Sequence, residues 1–362
     1  MKRKERICFF IRDMSMPAGT ERVTTVLANE LANRGNDVHI ITLTCANVYF
    51  ELNPKIKVFT LGVSTELKFA LLYPYFVFKL YSLIVRHKYT VFINVCVIMI
   101  SASWFIRFVK RCKIMSWEHF NLNVTPRLFI SALTRKLALN LSSKFVVLTH
   151  KDADYYQKRL GDKSKIACIP NPITIASEHK SDLSVKKVLA VGRYTAQKGF
   201  DLLLDAWEIV CRENREWQLE IVGDGEDKKI LIGRAARLNI SDRVVFRPPV
   251  KDIVEVYKEA SVYVLSSRFE GMPLVMLEAM SMGLPVIAFD CEFGPSQLIK
   301  NDCNGYLIEK ENVGKLAEAL INLINDPLKQ SQFSKYNIEF SKTLSIENIA
   351  DKWERTFKEI LG

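Results

Sequence analysis

The sequence predicts an α/β protein of two domains, each containing a parallel sheet flanked by helices. The chain has 362 residues, which is long for a single hydrophobic core. Residues 6–44 form the pattern strand, helix, strand, the βαβ unit of a parallel sheet. Residues 186–229 form a similar pattern in the second half. A content of 49% hydrophobic and 25% charged residues is ordinary for a globular protein.

The positive charge lies in the first half of the chain. The net charge is +11, but residues 1–180 carry +15 and residues 181–362 carry −4. We therefore expect the first half to meet an anionic surface or substrate. No nucleic-acid-binding motif accompanies this charge, so nucleic acid is not an expected partner.

The first βαβ unit begins at the amino terminus. The run RICFFIR predicts a strand, Asp13–Gly19 a loop, and Thr20–Arg34 a helix with one apolar face, which Gly35 ends. The basic and apolar amino terminus resembles a signal peptide, but its apolar part is too short, so we expect a cytoplasmic protein. Eight scattered cysteines without a Cys-x-x-Cys pair favour reduced thiols over a disulfide framework or a metal site.

Residues 66–90 combine seven aromatic side chains with interleaved lysines and arginines. The uninterrupted apolar run Phe69–Phe78 is too short to span a bilayer. This composition favours a segment lying in a membrane interface. An ordinary core helix with a basic outer edge remains the alternative.

The run VFINVCVIMI predicts a buried strand, SASWFIRFVKRCK a helix, and KIMSWEHFN a strand that ends at His119. Sites in parallel sheets gather at the carboxyl ends of strands, so His119 is a candidate site residue, with a structural role as the alternative. Asp152 and Asp154 form an Asp-x-Asp pair, but they open a predicted helix, where acidic residues are common. We interpret that pair as structural.

The stretch Ser266–Ala288 carries two glutamates separated by seven residues. Pro273 suits the first position of a helix, LVMLEAMSM continues it, and Gly283 is placed to end it. Glu270 then lies on the loop before the helix and Glu278 inside it. The free backbone N–H groups at this helix start would favour an anion; they belong to Gly271, Met272 and Leu274.

The sequence around the two glutamates, with FEGMPL, LEAM and GLPVIA, resembles the signature of family 4 glycosyltransferases. These enzymes have the GT-B fold, two facing Rossmann-like βαβ domains with a donor cleft between them. The resemblance is strong over residues 187–307 and looser before them. It implies an acceptor- and membrane-side domain at 1–175, a nucleotide-sugar domain at 176–345, and a helix at 346–362 that crosses back to the first domain.

The resemblance also assigns roles to individual residues. Arg193 and Lys198 would clamp the donor diphosphate, with Gly192 letting the backbone bend around it. Glu270 and His119 would orient the sugar, and Glu278 would bind the ribose hydroxyls. The donor contacts that remain are backbone ones, from the loop 247–250 with Val250, from Gly271, Met272 and Leu274, and weakly from Gly19, since Ala18 replaces a glycine of the family pattern.

The function implied is retaining transfer of a hexose or N-acetylhexosamine from a nucleotide sugar, with UDP favoured over GDP. The acceptor would be an undecaprenyl-diphosphate-linked saccharide in capsule, O-antigen or exopolysaccharide biosynthesis, at the anionic inner face of the membrane. Fixed cations rather than a metal would stabilise the leaving diphosphate, and no cofactor is expected. Two alternatives remain, a nucleotide-sugar epimerase of the same fold and a non-catalytic subunit of a polysaccharide assembly complex.

Overall fold

The computed structural model describes residues 4–63, 73–119, 128–160, 163–175, 177–291 and 293–362. The chain divides into two compact units. Unit 1 comprises residues 1–174 together with 345–362, and unit 2 comprises residues 175–344. Each unit has its own parallel sheet with helices packed against it, which confirms the predicted α/β fold class of two Rossmann-like units.

Unit 1 is built on a seven-stranded sheet in which every described pairing is parallel. In chain order the strands are β1 Arg6–Ile11, β2 Asp37–Thr42, β3 Lys57–Thr60, β4 Val91–Val95, β5 Lys113–Trp117, β6 Lys144–Val147 and β7 Ile166–Cys168. They lie side by side in the order β3-β2-β1-β4-β5-β6-β7. Its helices are α1 Gly19–Asn33, α2 Tyr73–His87, α3 Ile100–Ser103, α4 Leu128–Leu141 and α5 His150–Leu160, with α13 Ile346–Leu361 from the end of the chain.

Two predicted elements of unit 1 end earlier than the hydrophobic pattern suggests. The strand expected through VFINVCVIMI stops at Val95, because Cys96 adopts a positive φ of 72° and turns the chain. The helix expected in SASWFIRFVKRCK is shorter, since α3 ends at Ser103 and a 3₁₀ turn follows over Trp104–Phe108. Apolar runs alone do not distinguish strand from turn at such points.

Helix α13 packs on unit 1 through both apolar and charged contacts. Trp353 lies against Trp117, with ring centroids 4.9 Å apart. The Arg34 guanidinium, at the end of α1, pairs with Asp351 at 2.5 Å and with Glu354 at 3.2 Å. The last helix therefore completes the core of unit 1.

The aromatic segment predicted at 66–90 is described only in part, because its residues 66–72 lie outside the described ranges. From Tyr73 onward it forms α2, which buries Phe76, Leu80 and Ile84 against the sheet. Within the described residues, no helix has the length and apolar character needed to cross a membrane.

Unit 2 repeats the same plan with six parallel strands. The strands are β8 Lys187–Val191, β9 Gln218–Val222, β10 Val244–Arg247, β11 Val262–Leu265, β12 Val286–Asp290 and β13 Gly305–Glu309. Their spatial order is β10-β9-β8-β11-β12-β13. The helices are α6 Phe200–Glu213, α7 Lys228–Arg237, α8 Ile253–Lys258, α9 Leu274–Ser281, α10 Pro295–Leu298, α11 Val313–Ile324 and α12 Pro327–Lys342.

The cysteines behave as buried or half-buried thiols. All eight lie in the described ranges and all are free. Burial raises the pKa of the Cys112 and Cys291 thiols to about 12, so both are protonated at neutral pH.

Candidate functional site

The candidate site lies where the strand order of unit 2 reverses. Strand β8 pairs with β11, and the crossovers leave these two strands in opposite directions along the sheet. In open parallel sheets, a crevice for ligands forms at the carboxyl ends of such a strand pair. The loop after β8 carries Arg193 and Lys198, and the loop after β11 carries Glu270. The topology therefore brings these predicted residues to one edge of the sheet.

Lys198 and Glu270 form the central contact of this edge. The Lys198 ammonium lies 2.6 Å from Glu270 Oε1, and their side chains are only 14% and 9% exposed. The Ser267 hydroxyl donates to the same oxygen at 2.7 Å. One carboxylate oxygen thus accepts two hydrogen bonds, one of them from a cation.

The two loops are tied to each other along their length. Ser266 Oγ donates to the Lys198 carbonyl at 2.9 Å, and Gln197 Nε2 donates to the Phe269 carbonyl at 3.1 Å. Gly199 adopts a φ of 61°, and a Cβ atom there would lie 2.1 Å from the Ser266 carbonyl oxygen. Only glycine permits this approach, so the loops are held in place before any ligand binds.

Arg268 fixes the same loop pair from its outer side. Its guanidinium donates to both Asp201 carboxylate oxygens, at 2.9 and 2.7 Å, and to the Ala196 carbonyl at 2.7 Å. Burial alone would raise the pKa of Asp201, but the hydrogen bonds and charge of Arg268 lower it below its usual range. The bidentate geometry sets the direction of both side chains.

Arg193 is the exposed cation of the site. In the part of the chain that the structure describes, no carboxylate pairs with its guanidinium. The next residue, Tyr194, is fully buried and its hydroxyl donates to the Ile221 carbonyl at 2.7 Å. Arg193 is therefore held by an anchored neighbour, while its charge faces solvent.

Three glycines allow the loop after β8 to pack closely. A Cβ atom at Gly192 would lie 3.1 Å from the Lys198 side chain, and one at Gly223 would lie 1.9 Å from the Gly192 carbonyl oxygen. A Cβ atom at Gly225 would lie 2.4 Å from the Tyr194 carbonyl oxygen. The GDG sequence, Gly223–Gly225, thus packs against the loop that carries Arg193.

Glu278 lies deeper, inside α9, and is 1% exposed. Its Oε2 accepts a hydrogen bond from the Tyr257 hydroxyl at 3.0 Å. Tyr263, on β11, is also fully buried. Burial first, and then the negative charges of Glu270 and Glu278, raise the pKa of the Tyr263 phenol. The phenol therefore lies within the field of both glutamates.

The start of α9 differs by one residue from the prediction. Pro273 is the residue before the helix, with an extended ψ of 106°, and Leu274 is the first helical residue. Neither Gly271 nor Leu274 donates its backbone N–H to a partner among the described residues. At the other end, Gly283 adopts a φ of 83°, and the Leu284 N–H donates to the Ala279 carbonyl, as predicted for a glycine-ended helix.

Gly294 packs on the loop that precedes α9. Its φ is 69°, and a Cβ atom there would lie 1.9 Å from the Gly271 carbonyl oxygen. Met272, between Gly271 and the helix, is buried. The Gly294 turn therefore fixes the backbone where the sequence predicted amide contacts to a ligand.

Val250 lies in the loop after β10, half-buried, at the same carboxyl-end edge of the sheet as the other loops. Before it, the Arg247 guanidinium lies 3.2 Å from the buried Glu220 carboxylate. The Arg247 side chain is thus directed to the sheet by its ion pair. The backbone of the loop that follows remains accessible.

Two predicted residues belong to unit 1. Gly19 is the first residue of α1. His119 follows β5, is buried, and lies against Trp117 with ring centroids 4.3 Å apart. Burial lowers the pKa of His119 to about 3, so its imidazole is neutral at physiological pH. His119 Nε2 has no hydrogen-bond partner among the described residues.

Asp152, the first residue of the Asp-x-Asp pair, takes part in a helix cap. Thr149 precedes α5, its hydroxyl accepts from the Asp152 N–H at 3.0 Å, and it donates to Asp152 Oδ2 at 2.6 Å. This arrangement caps the helix. Across the described ranges, no group of three or more His, Cys, Asp or Glu side chains could hold a metal ion.

Several residues that complete the site were not singled out from the sequence. They hold the predicted residues in place, and they are Ser267, Gln197, Arg268, Asp201, Tyr194, Tyr257 and Gly294. Two signals were present, since Ser267 lies in the same loop as Glu270 and Gly294 lies in the FGPS run after β12. The other contacts join residues distant in sequence.

Comparison with known proteins gives two family matches that follow each other along the chain. The model described as Glycosyltransferase Family 4 matches residues 17–177, and the model described as Glycosyl transferases group 1 matches residues 173–340. An uncharacterized glycosyltransferase of Haemophilus influenzae is 33% identical over 97% of this chain and 99% of its own. The amylovoran biosynthesis glycosyltransferase AmsD of Erwinia amylovora is 29% identical over 96% and 98%.

Solved structures show the same fold at low sequence identity. The structure of Anabaena HepE in complex with UDP-glucose has a TM-score of 0.79. It is 19% identical and covers 98% of this chain and 99% of its own.

Proposed function

The chain belongs to glycosyltransferase family 4, and from that premise we propose that it is a retaining enzyme of bacterial surface polysaccharide biosynthesis. It transfers a hexose or N-acetylhexosamine from a UDP-sugar to a hydroxyl of a lipid-linked saccharide. The observation that carries this proposal is the pair of tied loops at the switch point of unit 2. Lys198 pairs with Glu270 there, and among the described residues no carboxylate pairs with Arg193.

The leaving diphosphate is the group that this edge suits best. When the bond between the sugar C1 and the phosphate oxygen breaks, negative charge develops on that oxygen. Preorganised cations stabilise such charge more than water does, because they need no reorganisation. Arg193 supplies a forked donor and Lys198 a point charge. In our proposal these two cations, rather than a metal, neutralise the leaving group.

Glu270 and Lys198 change partners in this mechanism. When the donor binds, the Lys198 ammonium pairs with the diphosphate instead of Glu270. Glu270 Oε1 then accepts a hydrogen bond from a sugar hydroxyl. Ser267 still donates to that oxygen and keeps the carboxylate oriented. The acceptor oxygen attacks C1 on the face that the diphosphate leaves, and its proton passes to the departing phosphate oxygen. No protein group forms a covalent intermediate in this scheme.

The nucleoside is held by the deeper part of the site. We assign Glu278 to the ribose hydroxyls, which donate to its carboxylate, with the Tyr257 hydroxyl fixing one of its oxygens. The backbone of the Val250 loop meets the base. The resemblance of the fold to a UDP-glucose complex favours UDP over GDP.

The acceptor is assigned from the relatives and from charge. AmsD is named for amylovoran biosynthesis and matches nearly the whole chain. The first half carries a net charge of +15, which suits a lipid diphosphate and the anionic membrane that holds it. We propose that the protein binds peripherally at the inner face of the cytoplasmic membrane. His119 and Gly19 of unit 1 help to bind the sugar and the acceptor.

Thermal unfolding with UDP, GDP, ADP and their common sugars tests the donor assignment. A nucleotide at a hundred times its Kd stabilises a protein by about 2.7 kcal/mol. We expect UDP and a UDP-sugar to raise Tm for the wild type and for Glu318→Ala, an exposed control glutamate on α11, but not for Glu278→Ala. Stabilisation by no nucleotide, or an undiminished UDP effect in Glu278→Ala, would overturn the assignment.

The anomeric outcome needs a separate measurement. Proton NMR of the first product formed from a UDP-α-sugar should show an α-linked product. A β-linked product would rule out retention while leaving the donor assignment intact.

A further inference from the structure

Helix α2 carries large apolar side chains on its outer face as well as on its inner face. Phe76, Leu80 and Ile84 are buried against the sheet. On the opposite side, Phe78 is 69% exposed and Tyr81 47% exposed. A helix that is apolar all round is normally covered on every side. Ser82 and Arg86 are also exposed on α2, but large apolar side chains occupy more of its outer face than expected for a surface that only meets water.

The segment after β4 extends this apolar surface. The Trp104 indole N–H donates to the Tyr73 hydroxyl at 2.9 Å, and that hydroxyl donates to the Ser101 carbonyl at 2.7 Å. The rings of Tyr81 and Phe105 lie 6.3 Å apart. The exposed side chains of the two segments thus form one surface, the aromatic face, which consists of Tyr75, Phe78, Tyr81, Val85, Ile98, Trp104 and Phe108.

Basic residues surround the aromatic face without acidic neighbours in sequence. Residues 73–117 contain seven lysines and arginines and no aspartate or glutamate. The Arg107 guanidinium lies over the Phe108 ring, 5.4 Å from its centroid. Throughout the described ranges, no carboxylate pairs with the exposed cations of these segments, which are Arg86, Lys88, Arg107, Lys110 and Arg111.

We propose that the aromatic face is the surface by which this protein docks on an anionic lipid bilayer. The inference rests on the proposed membrane-bound acceptor and says which part of unit 1 meets the membrane. Tyr and Trp side chains favour the headgroup region, where an apolar ring and a polar tip both find partners. Each nearby Lys or Arg strengthens binding to an anionic leaflet about fivefold.

The charge also argues against a second copy of the chain as the occupant. A two-fold contact places the same patch on both sides of the interface. The cations of one copy would then face those of the other, with no carboxylate of these segments between them. An anionic bilayer would cover the apolar side chains and also neutralise the cations around them.

Trp104 provides a direct test. It is 41% exposed, whereas Trp117, Trp207 and Trp353 are fully buried and Trp217 nearly so. With vesicles of phosphatidylglycerol and phosphatidylcholine carrying bromine on their acyl chains, we expect quenching of tryptophan emission. Trp104→Phe should still bind these vesicles but lose the quenching. Binding without any quenching of Trp104 would place the membrane contact elsewhere and overturn the proposal.

Paired substitutions separate the apolar and charged contributions. Phe78→Ser with Phe108→Ser should reduce vesicle partitioning about tenfold for each ring. The control, Ile230→Ser with Ile232→Ser, removes exposed apolar side chains from α7 of unit 2 and should change nothing. Lys110→Gln with Arg111→Gln should cost about fivefold for each charge on anionic vesicles, and nothing on pure phosphatidylcholine.

Nucleotide binding distinguishes failure of this inference from failure of the proposed function. UDP should stabilise every one of these variants as it does the wild type. If UDP stabilises the wild type but the wild type does not bind vesicles, the membrane-docking proposal is wrong and the donor assignment stands. If the chain sediments as a dimer that Phe78→Ser dissociates, with no vesicle binding, the aromatic face is a subunit contact instead.

Discussion

The Lys198 ammonium and Glu270 Oε1 lie 2.6 Å apart although 72 residues separate them in the chain. Each charge is neutralised by the other before any ligand binds. A ligand with a diphosphate and a hydroxyl can exchange this contact for two of its own. The pair therefore links the stability of unit 2 to the chemistry proposed for it.

Replacing Lys198 should separate catalysis from stability. Lys198→Met should lower kcat by about 10²–10³, because one fixed charge on the leaving group is lost. It should also destabilise the protein by about 2 kcal/mol, since Glu270 stays buried without its cation. Adding Glu270→Gln should restore stability but not activity, as measured by urea unfolding and a transfer assay.

An exposed ion pair provides the control for Lys198. The Lys315 ammonium lies 2.7 Å from the Glu309 carboxylate, a similar distance, but both side chains are more than half exposed. Lys315→Met should leave the free energy of unfolding nearly unchanged, because an ion pair exposed to water contributes little to stability. An equal loss of stability in the two variants would show that the Lys198–Glu270 pair has no special role in the fold.

The Tyr257 hydroxyl should act through Glu278. Tyr257→Phe removes a donor to Glu278 Oε2 and keeps the ring. We expect KM for the donor to rise about fivefold to tenfold with kcat little changed, the pattern of lost uniform binding. Combined with Glu278→Gln, the effect should be smaller than the sum of the two single effects. Strict additivity would show that the hydroxyl does not act through Glu278.

Gly294 should tolerate no side chain. Gly294→Ala places a Cβ atom 1.9 Å from the Gly271 carbonyl oxygen at a φ of 69°, so the loop before α9 must move. We expect a loss of about 1–3 kcal/mol in the free energy of unfolding, together with weaker nucleotide binding. By contrast, Gly233→Ala in α7 meets nothing within 4 Å and should stabilise the protein by about 0.5–1 kcal/mol. Normal nucleotide binding by Gly294→Ala would contradict this account.

Acid should destabilise unit 1 through His119. Its folded-state pKa of about 3 lies below the unfolded value of roughly 6.5, so folding favours the neutral ring. The resulting stability is present above pH 6.5 and is lost as pH falls towards 3. Between pH 7.5 and 5.5 the loss is about 1.4 kcal/mol.

His119→Gln should remove that part of the pH dependence, as measured by urea unfolding at the two pH values. The pKa values of His39 and His87 are also lowered, by burial first, so some acid sensitivity should remain in the variant. An unchanged pH dependence in His119→Gln would show that His119 is not the group responsible.

The fold was predictable because its strands and helices have clear periodic patterns. The βαβ pattern of residues 6–44 and the apolar strands before Gly192 and Ser266 each indicated a parallel sheet. Gly283 also ended its helix as expected. The segment 96–108 was predicted less well, because a positive φ at Cys96 is not visible in an apolar run.

The site was predictable as a set of residues but not as a set of contacts. The sequence placed Lys198 and Glu270 in loops after strands, yet it did not show that β8 and β11 are neighbours. The hydroxyl of Tyr257 and the turn at Gly294 act across tertiary distances, so no local pattern reveals them. The exposure of Phe78 and Phe108 likewise depends on which faces the sheet covers.

Because α13 belongs to unit 1, the two units are completed in a fixed order during synthesis on the ribosome. Unit 2 is a continuous stretch, residues 175–344, whereas unit 1 needs residues 345–362 as well. The nascent chain can finish unit 2 while Trp117 still lacks the covering ring of Trp353. Unit 1 is therefore synthesised first but completed last. Its exposed core stays accessible to chaperones for longer than that of unit 2.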